Sequence, residues 1–262
     1  MEDFVAVEEP LEIQLSYLSN GQRVVRSISI TMRTPGHDKD LALGFLRTEG
    51  IICSVEQVRE VLVPVDEKFC RPEENRLRII LEDDVSVDVG KMDRNFYTTS
   101  SCGICGKASL EALNMAGAKA FTGNCPKVRK ETVLQLPQKL LQQQEAFLKT
   151  GGLHAVGLFD ANGEIKVLRE DVGRHNAVDK IAGALLQDTM LIAAESLLLV
   201  SGRTSFEIVQ KAIRAGIPFV AAVGAPSSLA VELANTFNLT LLGFTNVERF
   251  NIYSSPERVL TA

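Results

Sequence analysis

The sequence predicts an α/β chain built of two unlike parts, and three observations predict it. Residues 197–243 alternate short, continuously apolar runs with helical stretches of 11–12 residues. The first eighty or so residues show apolar/polar alternation instead. Charge divides in the same way: residues 1–95 carry 12 Lys/Arg against 19 Asp/Glu, and residues 96–262 carry 16 against 14. Continuous apolar runs mark strands buried on both faces, the parallel βαβ arrangement. Alternation marks strands with one wet face. The expected architecture is α/β (α+β overall), with a three-layer α/β/α domain and a mixed sheet over 96–262. A smaller β-rich α+β domain over 1–95 precedes it, with a junction near 91–101.

Taken in order, Leu11, Ile13, Leu15 and Tyr17 alternate with polar residues. Ser19-Asn20-Gly21 is a turn signal, and Ile28, Ile30 and Met32 resume the alternation, so a hairpin is expected. Thr34-Pro35-Gly36 breaks it, and Asp38 can cap a helix that runs to about Glu49 and stops at Gly50. Leu77/Ile79/Leu81 and Val85/Val87/Val89 read as a second strand pair turning at Glu82-Asp83-Asp84. Helices are expected over 106–116 and 137–148, the latter stopped by Gly151-Gly152. Leu153–Phe159 and Glu164–Leu168 flank the hairpin signature Asp160-Ala161-Asn162-Gly163, and a helix should follow over 174–187. The apolar runs Leu197–Val200, Phe219–Val223 and Thr240–Phe244 then frame helices over 204–215 and 227–237.

Composition excludes several classes. The chain has 262 residues, 45% hydrophobic and 23% charged, which is globular rather than disordered. A net charge of −5 has no basic excess to recruit nucleic acid. The longest apolar run, around Met190–Val200, is interrupted by Glu195 and too short for a bilayer, so no membrane association is expected. No apolar segment follows the acidic start Met1-Glu2-Asp3-Phe4, so no secretory signal is read. The five cysteines, an odd number in a large chain, suit a reducing cytoplasm with thiols that are free, metal-bound or catalytic. Cys53, Cys70 and Cys125 default to buried structural thiols.

Four local patterns carry chemistry. In Thr98-Thr99-Ser100-Ser101-Cys102-Gly103-Ile104-Cys105-Gly106, two cysteines three apart precede an expected helix. The positive helix end and Lys107 would favour thiolates, the reactive species. A zinc half-site is the rival, but no second Cys-x-x-Cys supplies the remaining ligands, and no metal site is expected. Thr150-Gly151-Gly152-Leu153-His154 joins a double glycine, which lets a ligand approach the backbone, to a strand histidine that could equally be a satisfied core residue. In Arg169-Glu170-Asp171-Val172-Gly173-Arg174-His175-Asn176, Asp171 reads either as a helix cap or as part of a site. Arg174 and His175 have the wrong sign for a helix N-terminus unless an anion sits there. Finally, Ser201-Gly202-Arg203-Thr204-Ser205 and Gly224-Ala225-Pro226-Ser227-Ser228 each follow a parallel strand and lead into a helix. They are ordinary Ser/Thr caps or an anion cradle at the carboxyl edge of the sheet, with Ser201, Gly202, Arg203, Pro226 and Ser227 as candidate contacts. Neither is a Walker A loop or a dinucleotide fingerprint.

Thr34-Pro35-Gly36-His37-Asp38, Gly44-Phe45-Leu46-Arg47-Thr48-Glu49-Gly50-Ile51-Ile52, the Ser-Cys-Gly-Ile-Cys-Gly loop, Thr150–His154, Arg169–Lys180, Ser201-Gly202-Arg203 and Ala225-Pro226-Ser227-Ser228 together resemble the FdhD family over nearly the whole chain. The run Arg169–Lys180 is far more specific than the Cys-x-x-Cys. The resemblance implies an accessory sulfurtransferase for formate dehydrogenase, with a larger domain similar to cytidine deaminases and a homodimeric state. It implies sulfur received as a persulfide from a cysteine desulfurase and passed to the molybdenum bis-molybdopterin guanine dinucleotide cofactor, bound as client. Cys102 is then the leading persulfide candidate and Cys105 its helper. Cofactor contacts map onto Phe244, Thr245, Asn246, Val247, Glu248 and Arg249. Asn246 stands where family members often carry a basic residue, and Arg249 is the nearest substitute. The glycines Gly151 and Gly152, with His154, Asp171, Arg174 and His175, complete the expected cofactor site. Two other readings stay open: a non-catalytic cofactor carrier, and a zinc deaminase. The latter wants H-x-E and P-C-x-x-C, whereas His154 is followed by Ala155-Val156 and Cys102 is preceded by Ser101.

Overall fold

The computed structural model describes residues 3–66, 71–87, 118–123 and 125–261. The expected helix over 106–116 and the end of the expected strand at Val89 lie outside the described residues.

Strands β1 (Glu9–Ser19) and β2 (Gln22–Arg33) form the hairpin predicted from the sequence. Its two turn residues, Asn20 and Gly21, both have positive φ (50° and 77°), the geometry that matches the twist of paired strands. A register shift opposite Ile13/Gln14 places one extra residue, Ile28, in β2. Ile28 is buried, but Ile30 and Met32 beyond the bulge face solvent, because one extra residue exchanges the two faces of a strand. The hairpin joins β3 (Val58–Leu62) and β6 (Arg76–Leu81) in a four-stranded sheet ordered β2-β1-β6-β3. A minor pair, β4 (Val65–Asp66) and β5 (Arg71–Pro72), lies between them in the chain.

The expected pairing of Leu77–Leu81 with Val85–Val89 does not form over its described part. Strand β6 runs parallel to β1 and antiparallel to β3. The Glu82 amide bonds the Gln57 carbonyl, and the Val85 amide bonds back to Glu82, so the chain turns off the sheet and buries Val85 as a plug. Helix α1 (Asp38–Thr48) covers the sheet with Leu41, Ala42, Leu43 and Leu46, packed on Leu11, Ile13, Leu15 and Ile79. Its cap is His37, at φ 56°, with no side-chain cap bond, rather than Asp38. Asp38 instead holds buried Arg33 through two bonds of 2.8 and 3.0 Å.

The second sheet contains β8 (His154–Phe159), β9 (Ile165–Asp171), β10 (Leu197–Val200), β11 (Phe219–Ala222), β12 (Thr240–Gly243) and β13 (Asn251–Ser254), in the order β13-β12-β11-β10-β8-β9. Strands β10, β11 and β12 are parallel, and β8, β9 and β13 run antiparallel to their neighbours. This is the mixed sheet expected from the apolar runs. A two-residue ladder of β7 (Val128–Arg129) with β14 (Val259–Leu260) ties in the chain end. On the second sheet's other face, helix α2 (Lys130–Gln142) is followed by the short α3 (Glu145–Thr150). The sequence suggested one helix over 137–148. Val133, Leu136 and Leu140 form one buried stripe, and that burial carries α2 through Pro137. Helices α4 (Arg174–Gln187), α5 (Phe206–Ala215) and α6 (Ser228–Thr236) cover the opposite face.

Helix α4 is shared between the two sheets. Its inner side packs on the second sheet, and its outer side meets α1 backbone to backbone. A Cβ on Gly44 would fall 1.7 Å from the Asp179 carbonyl oxygen, and one on Gly183 would fall 1.9 Å from that of Asp40. Beside this crossing, Lys211 of α5 donates to both Asp179 oxygens at 2.9 Å and to Thr48 at 3.1 Å, and Glu49 lies 3.4 Å away. Burial alone would push the Lys211 ammonium down, but Asp179 and Glu49 outweigh it, so its pKa lies above the ordinary lysine value.

Removing one partner of such a buried pair strands the other charge. Lys211→Met should cost about 3–5 kcal/mol in urea unfolding. The double variant Asp179→Asn/Lys211→Met should recover part of that loss. A single variant as stable as the parent would show that the pair contributes nothing to holding α1, α4 and α5 together.

Candidate functional site

The carboxyl edge of the three parallel strands gathers most of the site residues predicted from the sequence. Strand β8 starts at this edge because it runs antiparallel to β10, and His154 pairs in register with Asp171, the last residue of β9. The Ser201 amide bonds the Ala155 carbonyl, and the Ser201 hydroxyl accepts from the Ala155 amide at 2.9 Å. Ser201 therefore stitches β8 to the loop after β10. Gly202 sits against His154: a Cβ there would lie 3.4 Å from Nδ1.

The three loops after β10, β11 and β12 lie on one another. The Gly224 amide bonds Gly202, the Thr204 amide bonds Ala225, the Ser227 amide bonds Thr204, and the Phe244 amide bonds Gly224. A Cβ on Gly224 would meet Arg203 N and Gly202 O at 2.9 Å, so only glycine permits this stacking. The Ser227 hydroxyl accepts from the Ala230 amide at 3.2 Å and caps α6, an ordinary Ser cap. Arg203 is exposed, and Pro226 is half-buried. Phe244 takes φ 54°, a sparsely populated conformation for a bulky residue, and leaves 43% of its surface open beside exposed Val247. The Asn246 side chain accepts from the amides of Glu248 and Arg249 at 2.9 and 3.0 Å, so it shapes the turn, while Glu248 and Arg249 extend to solvent.

The fourth wall is the start of α4. Its first residues are Arg174 and His175, its N-cap is Gly173 with no side-chain cap, and its first turn contains no acid. The unpaired amides, the Arg174 guanidinium and the His175 ring make this helix end attractive to an anion. His175 Nε2 lies 2.8 Å from Glu207 and 3.4 Å from the Ser205 hydroxyl. That contact from His175 holds Glu207 below the usual carboxylate range. Burial pushes the His154 pKa down, and the nearby Arg174 and His175 push the same way. His154 is therefore a neutral imidazole near pH 7, able to accept as well as donate.

Asp171 does something other than was expected of it. It is fully buried, its carboxylate is occupied by Lys180, Thr34, Gly173 and Asn176, and it presents no surface to a ligand. It is not the helix cap either. Its place in the predicted cofactor set is corrected to a scaffold beneath the site.

Buried side-chain atoms left without a partner among the described residues include Arg174 Nε, Thr204 Oγ1 and Thr245 Oγ1, all on this edge. An unmade bond of this kind costs about 1–3 kcal/mol. Such spare capacity fits a polar guest, and Thr204 belongs to the Ser201–Ser205 loop motif without being among its candidate contacts. Glu207 was likewise unread, because a helix-face glutamate looks like a solvated charge. Gly151 (φ 66°) ends α3, and Gly152 is exposed beside Ala6.

Cys102 and Cys105 lie outside the described residues, as does Cys70. Cys53 is exposed rather than buried. Cys125 is half-buried and lines a shallow cavity of about 470 Å³ at the opposite edge of the sheet, with Asp160 and Ile192. Among the described residues no cluster of three or more His, Cys, Asp or Glu is placed to hold a metal ion, and no helix is long and apolar enough to cross a membrane.

The FdhD/NarQ family model matches residues 6–260. The sulfur carrier protein FdhD of Streptomyces coelicolor is 45% identical, over 98% of this chain and 89% of its own. That of Sulfurisphaera tokodaii is 42% identical, over 99% and 92%. A crystal structure from Desulfotalea psychrophila, of a protein assigned as a formate dehydrogenase accessory protein, superposes with a TM-score of 0.73. It shares 28% identity and covers 99% of this chain and 92% of that one.

Two outcomes check the site. Arg174→Ala should raise the His154 pKa toward the ordinary imidazole value, read by imidazole 1H–15N NMR. An unmoved titration would show that Arg174 does not act on that ring. Gly224→Ala should cost about 1–3 kcal/mol in urea unfolding, since the loops of 202–203 and 224 must part.

Proposed function

The chain belongs to the FdhD/NarQ family, and from that premise we propose that it is a sulfur carrier serving formate dehydrogenase. In this reading it is a sulfurtransferase with a cysteine persulfide intermediate. The Cys102 thiolate attacks the outer sulfur of a cysteine desulfurase persulfide, so Cys102 becomes the persulfide and the desulfurase leaves as a thiolate. The Cys105 thiolate then attacks the inner sulfur of Cys102. A Cys102–Cys105 disulfide forms, the outer sulfur departs as hydrosulfide to the molybdenum of the client cofactor, and a dithiol reductant restores the pair. Such chemistry belongs in a reducing cytoplasm. The homodimer and the cytidine deaminase-like fold of the second sheet are parts of the same reading.

One observation supports a polyanionic client most directly. The α4 N-terminus offers Arg174, His175 and free amides without an acid in its first turn, facing loops with unpaired buried polar atoms. A bis-guanine dinucleotide cofactor carries pyrophosphates that such an end can bind. Arg174, His175 and Arg203 would meet phosphate oxygens, neutral His154 would share a hydrogen bond, and the open face of Phe244 would stack on a flat ring. In this reading the exposed Phe244, Asn246, Val247, Glu248 and Arg249 would border the client together with the loops of Ser201, Gly202, Pro226 and Ser227, and buried Thr245 would lie beneath them.

Incubation with a cysteine desulfurase and cysteine should add one sulfur atom to the intact mass, and Cys102→Ala should abolish it. Addition that survives loss of both Cys102 and Cys105 would sink the transfer chemistry and leave a non-catalytic cofactor carrier. In parallel, Arg174→Ala should weaken guanosine diphosphate binding by roughly tenfold or more in calorimetry.

A further inference from the structure

The loop Thr34–His37, which leaves β2 for α1, belongs to the first sheet, yet it is bonded to the segment that opens the candidate site. The Thr34 hydroxyl accepts from the Val172 amide at 3.1 Å, and the Thr34 amide donates to Asp171 Oδ2 at 3.2 Å. The Lys180 ammonium, itself buried, lies 2.7 Å from Asp171 Oδ2 and donates to the Thr34 carbonyl at 2.9 Å and the Glu170 carbonyl at 3.3 Å. Asp171 Oδ1 accepts from the Gly173 amide at 2.8 Å and from Asn176 Nδ2 at 3.0 Å. Asn176 also donates to the Met32 carbonyl at 2.8 Å and accepts from the Thr31 hydroxyl at 3.1 Å. Residues 172–176, which carry Arg174 and His175, are thus held from below by Asp171 and from the side by the end of β2.

We infer that Thr34, Asp171, Asn176 and Lys180 are positioning residues that set the direction of the α4 N-terminus from the first sheet. The inference rests on the anion site proposed above and adds a condition to it: the site takes its binding geometry only while the first sheet is docked on β9 and α4. The constraint is specific because Gly173, the N-cap, is extended (φ −98°, ψ 116°) and brings no side-chain cap of its own to fix the turn from β9 into α4. The bonds that the Thr34 hydroxyl accepts from the Val172 amide and Asp171 accepts from the Gly173 amide supply that fixation. Lys180 makes this possible by neutralising a carboxylate that could not otherwise be buried.

The test uses the full chain. Thr34→Val keeps the shape and removes one hydrogen bond, whereas Thr34→Ser keeps the hydroxyl. Amide exchange should quicken in Thr34→Val at Val172, and also at Gly173 and Ala177, which Thr34 does not touch, by roughly 3–10-fold. The Val231 and Leu239 amides, in and beside α6, should be unchanged, and Thr34→Ser should match the parent throughout. Guanosine diphosphate affinity should fall by a similar factor in Thr34→Val and return in Thr34→Ser. Faster exchange at Val172 alone would overturn the inference, because the contact would then be local. Uniform acceleration that includes Val231 would also overturn it, as a plain loss of stability. If the parent does not bind guanosine diphosphate, the proposed ligand fails, while the exchange pattern still decides the positioning role.

Discussion

Two carboxylates, Asp171 and Asp179, are buried in the middle of this protein, and Lys180 and Lys211 reach them. The rest of the structure depends on those two neutralisations. An isolated buried carboxylate is too costly to persist, so each pair fixes the elements that supply it. Asp179 with Lys211, Thr48 and Glu49 joins α4, α5 and α1. Asp171 with Lys180 and Thr34 joins β9, α4 and the loop leaving β2. The glycines Gly44 and Gly183 let α1 and α4 approach closely enough for these short side-chain contacts to be made.

This arrangement explains how one helix can carry both stability and site geometry. The middle of α4 is buried between two layers, and its N-terminus emerges at the carboxyl edge of the second sheet. Positive charge accumulates there without a neighbouring acid in the first turn. Glu207 balances His175 from α5, and His154 stays neutral because burial and its cationic neighbours oppose its protonation. As pH falls below the imidazole pKa of the unfolded chain, protonation favours unfolding at His154. The contribution of His154 to stability is therefore complete above that value and is lost as pH falls below it.

Several sequence expectations were right because they rest on local chemistry. Asn20-Gly21 dictates its hairpin, Gly163 closes the turn after Asp160, and the apolar runs at 197–200, 219–222 and 240–243 are buried strands. Others failed where tertiary contacts compete. Strand β6 chose β1 and β3 over the segment next to it, because pairing across the sheet buries Leu77, Ile79 and Leu81 under α1. Strand β13 was missed because its exposed Asn251 and Ile252 carry no alternation. From sequence alone, Asp171 reads as a helix cap or as part of a site, because a carboxylate beside Arg174 and His175 looks the same whichever way it points.

By itself the sequence determined the family, the parallel core of the second sheet, and the set of loops that cluster at its edge. Those follow from residue type and spacing, which act over a few neighbours. Only the tertiary structure decided which charged residues of the Arg169–Lys180 run face outward and which are buried. Asp171 and Lys180 turn inward to Thr34, more than a hundred residues away, whereas Arg174 and His175 remain at the surface of the edge. The reason is physical: burial of a charge is set by the partner that neutralises it, and that partner is brought by the fold rather than by the chain's local pattern.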